Sequence, residues 1–255
     1  MNRWLLLLLV ISVTGSGLAA EPLKVAAAAD LNYALNELAA HFEATTGTKV
    51  LLSFGSSGNL FSQIQNGAPF DLLFSADEEY PKKLAAAGAM DAATLHTYAI
   101  GHLVLWVPNN LPLDPGKLQM NLLAEPAVSR ISIANPQHAP YGRAAIAALE
   151  HYGMKEKLGA KLVYGENVSQ AAQFVQSGNA QAGLIALSLA KSPAMASAGR
   201  YWVLPAESYP ELRQVAGVIS ASQQKKAAQA FLDYVLSPEG AATLHKFGLG
   251  TPGQP

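Results

Sequence analysis

Short β-type runs alternate with runs of helical period along most of this 255-residue chain, and that alternation restricts it to an α/β fold with mainly parallel strands. Lys24 to Ala29 reads as a strand leading into a helix near Asn32 to Glu43, where Leu31, Leu35, Leu38 and Phe42 recur at steps of three and four. Val50 to Phe54 and Phe70 to Ser75 are further strands, separated by a short helix at Leu60 to Gln65. Pro81 opens the next helix, Lys82 to Ala87, and Gly88 closes it. Ile100 to Val107 reads as one longer apolar strand. Pro108, Pro112, Pro115 and Gly116 then change the local composition abruptly, which marks the crossing into a second domain.

Within that second domain the alternation repeats. Strands are expected at Ile131 to Ala134, Lys161 to Tyr164 and Ala182 to Ile185, with helices at Arg143 to Tyr152 and Gln170 to Gln176. Trp202 to Leu204 and Val215 to Ile219 are further strands of this part. Helices near Ser222 to Leu236 and Pro238 to Phe247 return to the first domain. The expected division is a leader at 1–20, a first lobe of 21–98 with 220–255, and a second lobe of 99–219.

The leader is expected because Arg3 precedes the apolar run Trp4 to Val13, which is shorter than the roughly 20 residues a spanning helix needs. Small residues follow, placing cleavage near Ala19 or Ala20 and the mature protein in the periplasm. No second long apolar run follows. The chain has no cysteine, so an exported fold must hold itself by packing and backbone hydrogen bonds, and thiolate catalysis and cysteine-ligated metals are excluded. The 17 basic and 18 acidic residues nearly cancel and form no Lys/Arg cluster, which argues against nucleic acid as a partner.

Four strand-to-helix junctions can carry chemistry: Ala29-Asp30-Leu31, Gly55-Ser56-Ser57-Gly58, Pro140-Tyr141-Gly142 and Glu166-Asn167-Val168-Ser169. A helix start offers unpaired backbone N–H groups, and the helix dipole there favours negative charge. Two junctions fall in each expected lobe, so a cleft between the lobes would be lined by helix starts and would suit an anion. Each also has a plainer reading. The serines suit ordinary N-caps, as does Ser169, and Pro140-Tyr141-Gly142 suits a turn. Asp30 would repel a dianion unless its side chain points away or accepts a proton from the ligand. Arg143 can pair with Asp30, help neutralise an anion, or simply be solvated. Asp77-Glu78-Glu79 reads as a solvated helix start.

Other patterns carry less. Gly248, Gly250 and Gly253 match a dinucleotide spacing, but no helix follows them. The six histidines lack metal-ligand spacing, and His138 reads as a loop residue. A secreted hydrolase using Ser57 has no histidine and carboxylate paired with it in the sequence.

Leu23 to Leu35 (LKVAAAADLNYAL), Phe54 to Asn59 (FGSSGN), Asn66 to Asp77 (NGAPFDLLFSAD), Tyr98 to Trp106 (YAIGHLVLW), Ile133 to Gly142 (IANPQHAPYG) and Asn167 to Ala171 (NVSQA) together resemble the periplasmic molybdate-binding proteins of ABC importers. The resemblance implies a two-lobed periplasmic binding protein fold of type II that closes on molybdate or tungstate, without a cofactor, and delivers it as a monomer to the membrane subunits of an ABC transporter. It implies oxyanion ligands at Asp30, Ser57, Tyr141 and Val168, the last two through backbone amides. The chain departs from the family pattern where some members have a hydroxyl residue at the first turn, here Ala29 and Asp30, and where others have a tyrosine, here Ala186. Both changes remove side-chain donors. A phosphate-like protonated oxyanion, its proton accepted by Asp30, is the alternative within the binding class.

Overall fold

A computed structural model describes residues 21–252. The expected leader and cleavage site, and Gly253, lie outside the described residues. In chain order the strands are β1 (Leu23–Ala28), β2 (Val50–Gly55), β3 (Leu72–Ser75), β4 (His96–Gly101) and β5 (Leu103–Pro108). They continue with β6 (Ile131–Ala134), β7 (Leu162–Gly165), β8 (Ala182–Ala186), β9 (Gly199–Val203) and β10 (Leu212–Val218).

They form two five-stranded sheets, ordered β2-β1-β3-β10-β4 and β7-β6-β8-β5-β9. In the first, β1 runs parallel to β2 and β3 while β10 is antiparallel to both its neighbours. In the second, β6 runs parallel to β7 and β8 while β5 is antiparallel to both its neighbours. Each sheet is therefore mixed, with one reversed strand in the fourth place. The parallel pairs need crossover helices, which is why helical periods separate the strands in the sequence.

Both faces of the first sheet are covered, and the pleat shares its residues between them. Val25, Ala27, Leu72 and Phe74 face one buried cluster with Leu35, Leu38 and Phe231. Ala26 and Leu73 face another with Leu60, Ile64 and Leu84. The second sheet packs around the fully buried Trp106, Leu105, Ile133 and Leu184. Ala28, Ala29 and Ala76 of the first lobe abut that second core, so the strand ends of one lobe form the floor against which the other rests.

Two strand assignments differ from the sequence reading. The single strand expected at Ile100 to Val107 is two strands in different sheets, broken at His102, because an apolar run carries no mark of where the chain changes sheet. The strand expected at Val215 to Ile219 in the second lobe spans Leu212–Val218 and lies in the first sheet, between β3 and β4. It is buried along most of its length, so hydrophobicity alone could not allot it to a lobe. Both crossings therefore fall at short irregular segments, at His102 and before Leu212.

Candidate functional site

The four junctions meet. Asp30, Ser56, Ser57, Tyr141, Asn167 and Val168 line one cavity between the lobes, with alanine, glycine and proline filling the rest of its wall. The cavity is tight, about 10 Å³, far below the roughly 300–1,000 Å³ of pockets that hold drug-sized organic ligands. Among the described residues no lysine, arginine or histidine lines it.

Three of the junctions are true helix starts, at Ser57–Gln65, Pro140–His151 and Val168–Gln176. Ser57, Tyr141 and Val168 sit in the first two positions of these helices, where no intrahelical acceptor exists. Among the described residues none of their N–H groups is bonded to the protein. Ser57 is fully buried, and its Oγ accepts the Ala76 N–H at 2.9 Å, leaving its own proton to donate. The Pro140 helix can press onto the end of β6 only because Gly142 lacks a side chain: a Cβ there would lie 2.3 Å from the Ala134 carbonyl oxygen. The third helix is capped by Asn167, whose side chain accepts the Gln170 N–H at 3.0 Å, and not by Ser169. An extended Asn167 places its side chain over the first turn, and Ser169 already lies inside the helix.

The fourth junction is different. Asp30 lies in a 3-10 turn, Ala29–Leu31, and caps no helix. Its side chain turns inward, only 1 % exposed, where Oδ2 accepts from Gln214 Nε2 at 2.6 Å and from the Tyr141 hydroxyl at 3.1 Å. Oδ1 is buried without a partner. Burial pushes this carboxyl up to about 6, against the pull of the Gln214 and Tyr141 hydrogen bonds. The Tyr98 hydroxyl donates to Gln214 Oε1 at 2.8 Å, and Ser188 Oγ donates to the Asp30 carbonyl at 2.7 Å. Gln214, Tyr98 and Ser188 were not singled out from the sequence. A glutamine inside the apolar run of β10 was the available signal, since a fully buried amide must have partners.

Other contacts seal the lobes together. Gly58 N–H donates to the His138 carbonyl at 2.9 Å, Ser56 Oγ lies 2.8 Å from His138 Nδ1, and Asn59 Nδ2 donates to Glu166 at 2.5 Å. Arg143 is only partly solvated and is not paired with Asp30: it forms an ion pair with Asp77 and reaches the Tyr80 hydroxyl at 3.4 Å. Asp77 correspondingly is no solvated helix start. Its side chain is 13 % exposed and accepts from the Tyr80 N–H and Ser75 Oγ. Burial raises its pKa, with the Tyr80 amide and Arg143 opposing. The sequence could not pair Arg143 with Asp77 because the two lie in different lobes.

Residues 23–250 match the model of the bacterial extracellular solute-binding protein family. The chain belongs to that family. Among its curated relatives, the molybdate-binding protein ModA of Azotobacter vinelandii is 39 % identical over 91 % of this chain and 90 % of its own length. ModA of Escherichia coli strain K12 is 31 % identical over 97 % and 98 %. The solved periplasmic molybdate-binding protein of Azotobacter vinelandii superposes with a TM-score of 0.85 at 36 % identity, covering 90 % of this chain and 99 % of that one. This solute-binding protein thus has the periplasmic binding protein fold, closed over its cavity. The family is one of binding proteins and not of enzymes. The hydrolase alternative finds no support at Ser57, because His138 sits against Ser56.

Proposed function

We propose that the protein captures molybdate, or tungstate, in the periplasm and delivers it to the membrane subunits of an ABC transporter. The observation that carries this reading is the convergence of three unbonded helix-start amides, at Ser57, Tyr141 and Val168, on one small cavity without a cation. Dipolar donors of this kind hold an oxyanion by its oxygens, and the desolvated cavity strengthens each bond. Ser57 adds a hydroxyl. Asp30 contributes through its place at the first turn. The relatives that match nearly the whole chain are named for molybdate. Because donors come from both lobes, occupancy favours the closed form, and that form is what a transporter would read.

A calorimetric panel of molybdate, tungstate, sulfate and phosphate tests the reading. Molybdate and tungstate are expected to bind at least about 100-fold more tightly than sulfate, since a smaller anion cannot reach donors on both lobes at bonding distance. Tight sulfate binding with none for molybdate would reject it. The phosphate alternative draws on one specific feature, the unpartnered Oδ1 of Asp30, which could accept a proton that the ligand brings. Phosphate binding tighter than molybdate in the same panel would favour it.

The seam makes a further expectation. Arg143→Met removes the cation that spans the lobes and leaves the mostly buried Asp77 unpaired in the closed form alone. Since the arginine is itself 37 % exposed, solvent screens part of the loss, and molybdate affinity is expected to fall about tenfold, mainly through faster release. Stopped-flow dissociation measures it. An unchanged release rate would show that the pair does not hold the cleft shut.

A further inference from the structure

We propose that Asp30 takes up one proton from solvent as the cleft closes on the anion, so that capture is coupled to protonation of the protein. This rests on the oxyanion reading above and adds a regulation of the same site. The geometry around the carboxyl carries it. Among the described residues every group that faces Asp30 is neutral: Tyr141 from the Pro140–His151 helix, Gln214 from β10, Tyr98 from β4 through Gln214, and, at the Asp30 carbonyl, Ser188 from the Leu187–Ala190 turn of helix. The basic side chains that closure brings nearby are committed elsewhere, Arg143 to Asp77 and His138 to Ser56. An ionised Asp30 would therefore sit buried and uncompensated beside a dianion.

The two oxygens differ in a way that says where the proton goes. Oδ2 already accepts two hydrogen bonds, whereas Oδ1 is buried and bonded to nothing. On this proposal the proton goes to Oδ1, and the resulting O–H takes as its acceptor the oxyanion held in the cavity that Asp30 lines. Molybdate carries no proton at neutral pH, so the proton must come from solvent. In the open form the Tyr141 contact, which belongs to the other lobe, is lost and water reaches the carboxyl. Burial, even against the pull of the Gln214 and Tyr141 hydrogen bonds, already pushes Asp30 up to about 6 in the closed form, and a dianion pushes it further in the same direction. The complex thus holds one more proton than the free protein, and rising pH opposes capture.

The experiment is calorimetric titration of the purified protein with sodium molybdate at about pH 7.5, in two buffers of different ionisation enthalpy, repeated at higher and lower pH. The wild type is expected to take up about one proton per anion and to lose affinity about tenfold per pH unit. Asp30→Asn keeps an acceptor for Tyr141 and Gln214 and presents an amide N–H in place of the O–H. It is expected to take up no proton and to bind with less than about twofold change across the same range. Molybdate binding by the wild type without proton uptake overturns the proposal, whatever the variant does. Uptake of equal size in Asp30→Asn, or in Asp30→Ser should the first variant not fold, places the proton on another group such as His138 and also overturns it. Failure of the wild type to bind molybdate at all is a different result, and it removes the functional reading itself.

Discussion

Gly58→Ala is expected to weaken molybdate capture about 100-fold while leaving the unliganded protein as stable as before. In the closed structure a Cβ at this position would lie 2.7 Å from the His138 carbonyl oxygen and 2.8 Å from His138 Cβ. It would also lie 2.6 Å from the Tyr80 hydroxyl, but that atom is the end of a side chain in the same lobe and can move away. The His138 backbone belongs to the other lobe and can be relieved only by opening the cleft. The same approach holds the Gly58 N–H to His138 hydrogen bond, at 2.9 Å, that closes the seam. With the cleft open, only the Tyr80 side chain must give way to the added methyl. Gly58 is the second residue of the Ser57–Gln65 helix, where alanine is the better helix former by up to about 1 kcal/mol. Urea unfolding without ligand should therefore show unchanged or slightly greater stability, while calorimetry shows the loss of affinity. Equal loss in both measurements would mean that Gly58 serves the fold and not closure.

This position illustrates which parts of the molecule the sequence discloses. Gly55-Ser56-Ser57-Gly58 is legible as a helix start because turn chemistry is local, and the same holds for Pro140-Tyr141-Gly142 and for the residues around Val168. The period-2 and period-3.6 patterns likewise place most strands and helices within a few residues, since each is written in neighbouring side chains. What depends on the other lobe is not written there. That Gly58 must be small follows from His138, 80 residues away, and that Arg143 is engaged follows from Asp77. The strand Leu212–Val218 shows the same limit at the level of topology. Its buried character is visible, but whether it pairs with β3 or with a strand of the second sheet is decided by the path of the chain after Val203. Asp30 is the instructive intermediate. Its chemistry as an awkward carboxylate in an anion site is apparent from the sequence, yet its resolution by Gln214 and Tyr141 needs residues 184 and 111 positions distant.

The cost of that carboxylate should be measurable without any ligand. Between about pH 4 and pH 8 the stability of Asp30→Asn relative to wild type is expected to rise by at most about 3 kcal/mol, the value for the closed form, and by less in proportion as the ligand-free cleft stands open and Asp30 is hydrated. In the closed fold the Asp30 carboxyl is pushed up from 3.8 to about 6, chiefly by burial. Over that interval the folded protein holds a proton that the unfolded chain has released, so raising the pH withdraws stability until the folded carboxyl has also ionised, and no more is lost above it. Below about pH 4 both states are protonated and the group contributes nothing to the pH dependence. Asparagine does not titrate, so the decline that Asp30 imposes on the wild type is absent from the variant. Comparing the two proteins at each pH cancels the contribution of every other ionisable group, and comparing the gap at two pH values cancels any fixed difference in hydrogen bonding between a carboxyl and an amide. Urea unfolding at several pH values between these limits reads the gap directly. A gap independent of pH would mean that Asp30 ionises in the ligand-free protein as readily as in water, which is the behaviour of an open cleft that leaves the carboxyl hydrated. A gap that opens between about pH 4 and pH 6 and then stays level locates the strain in the group that closure on an anion would have to neutralise.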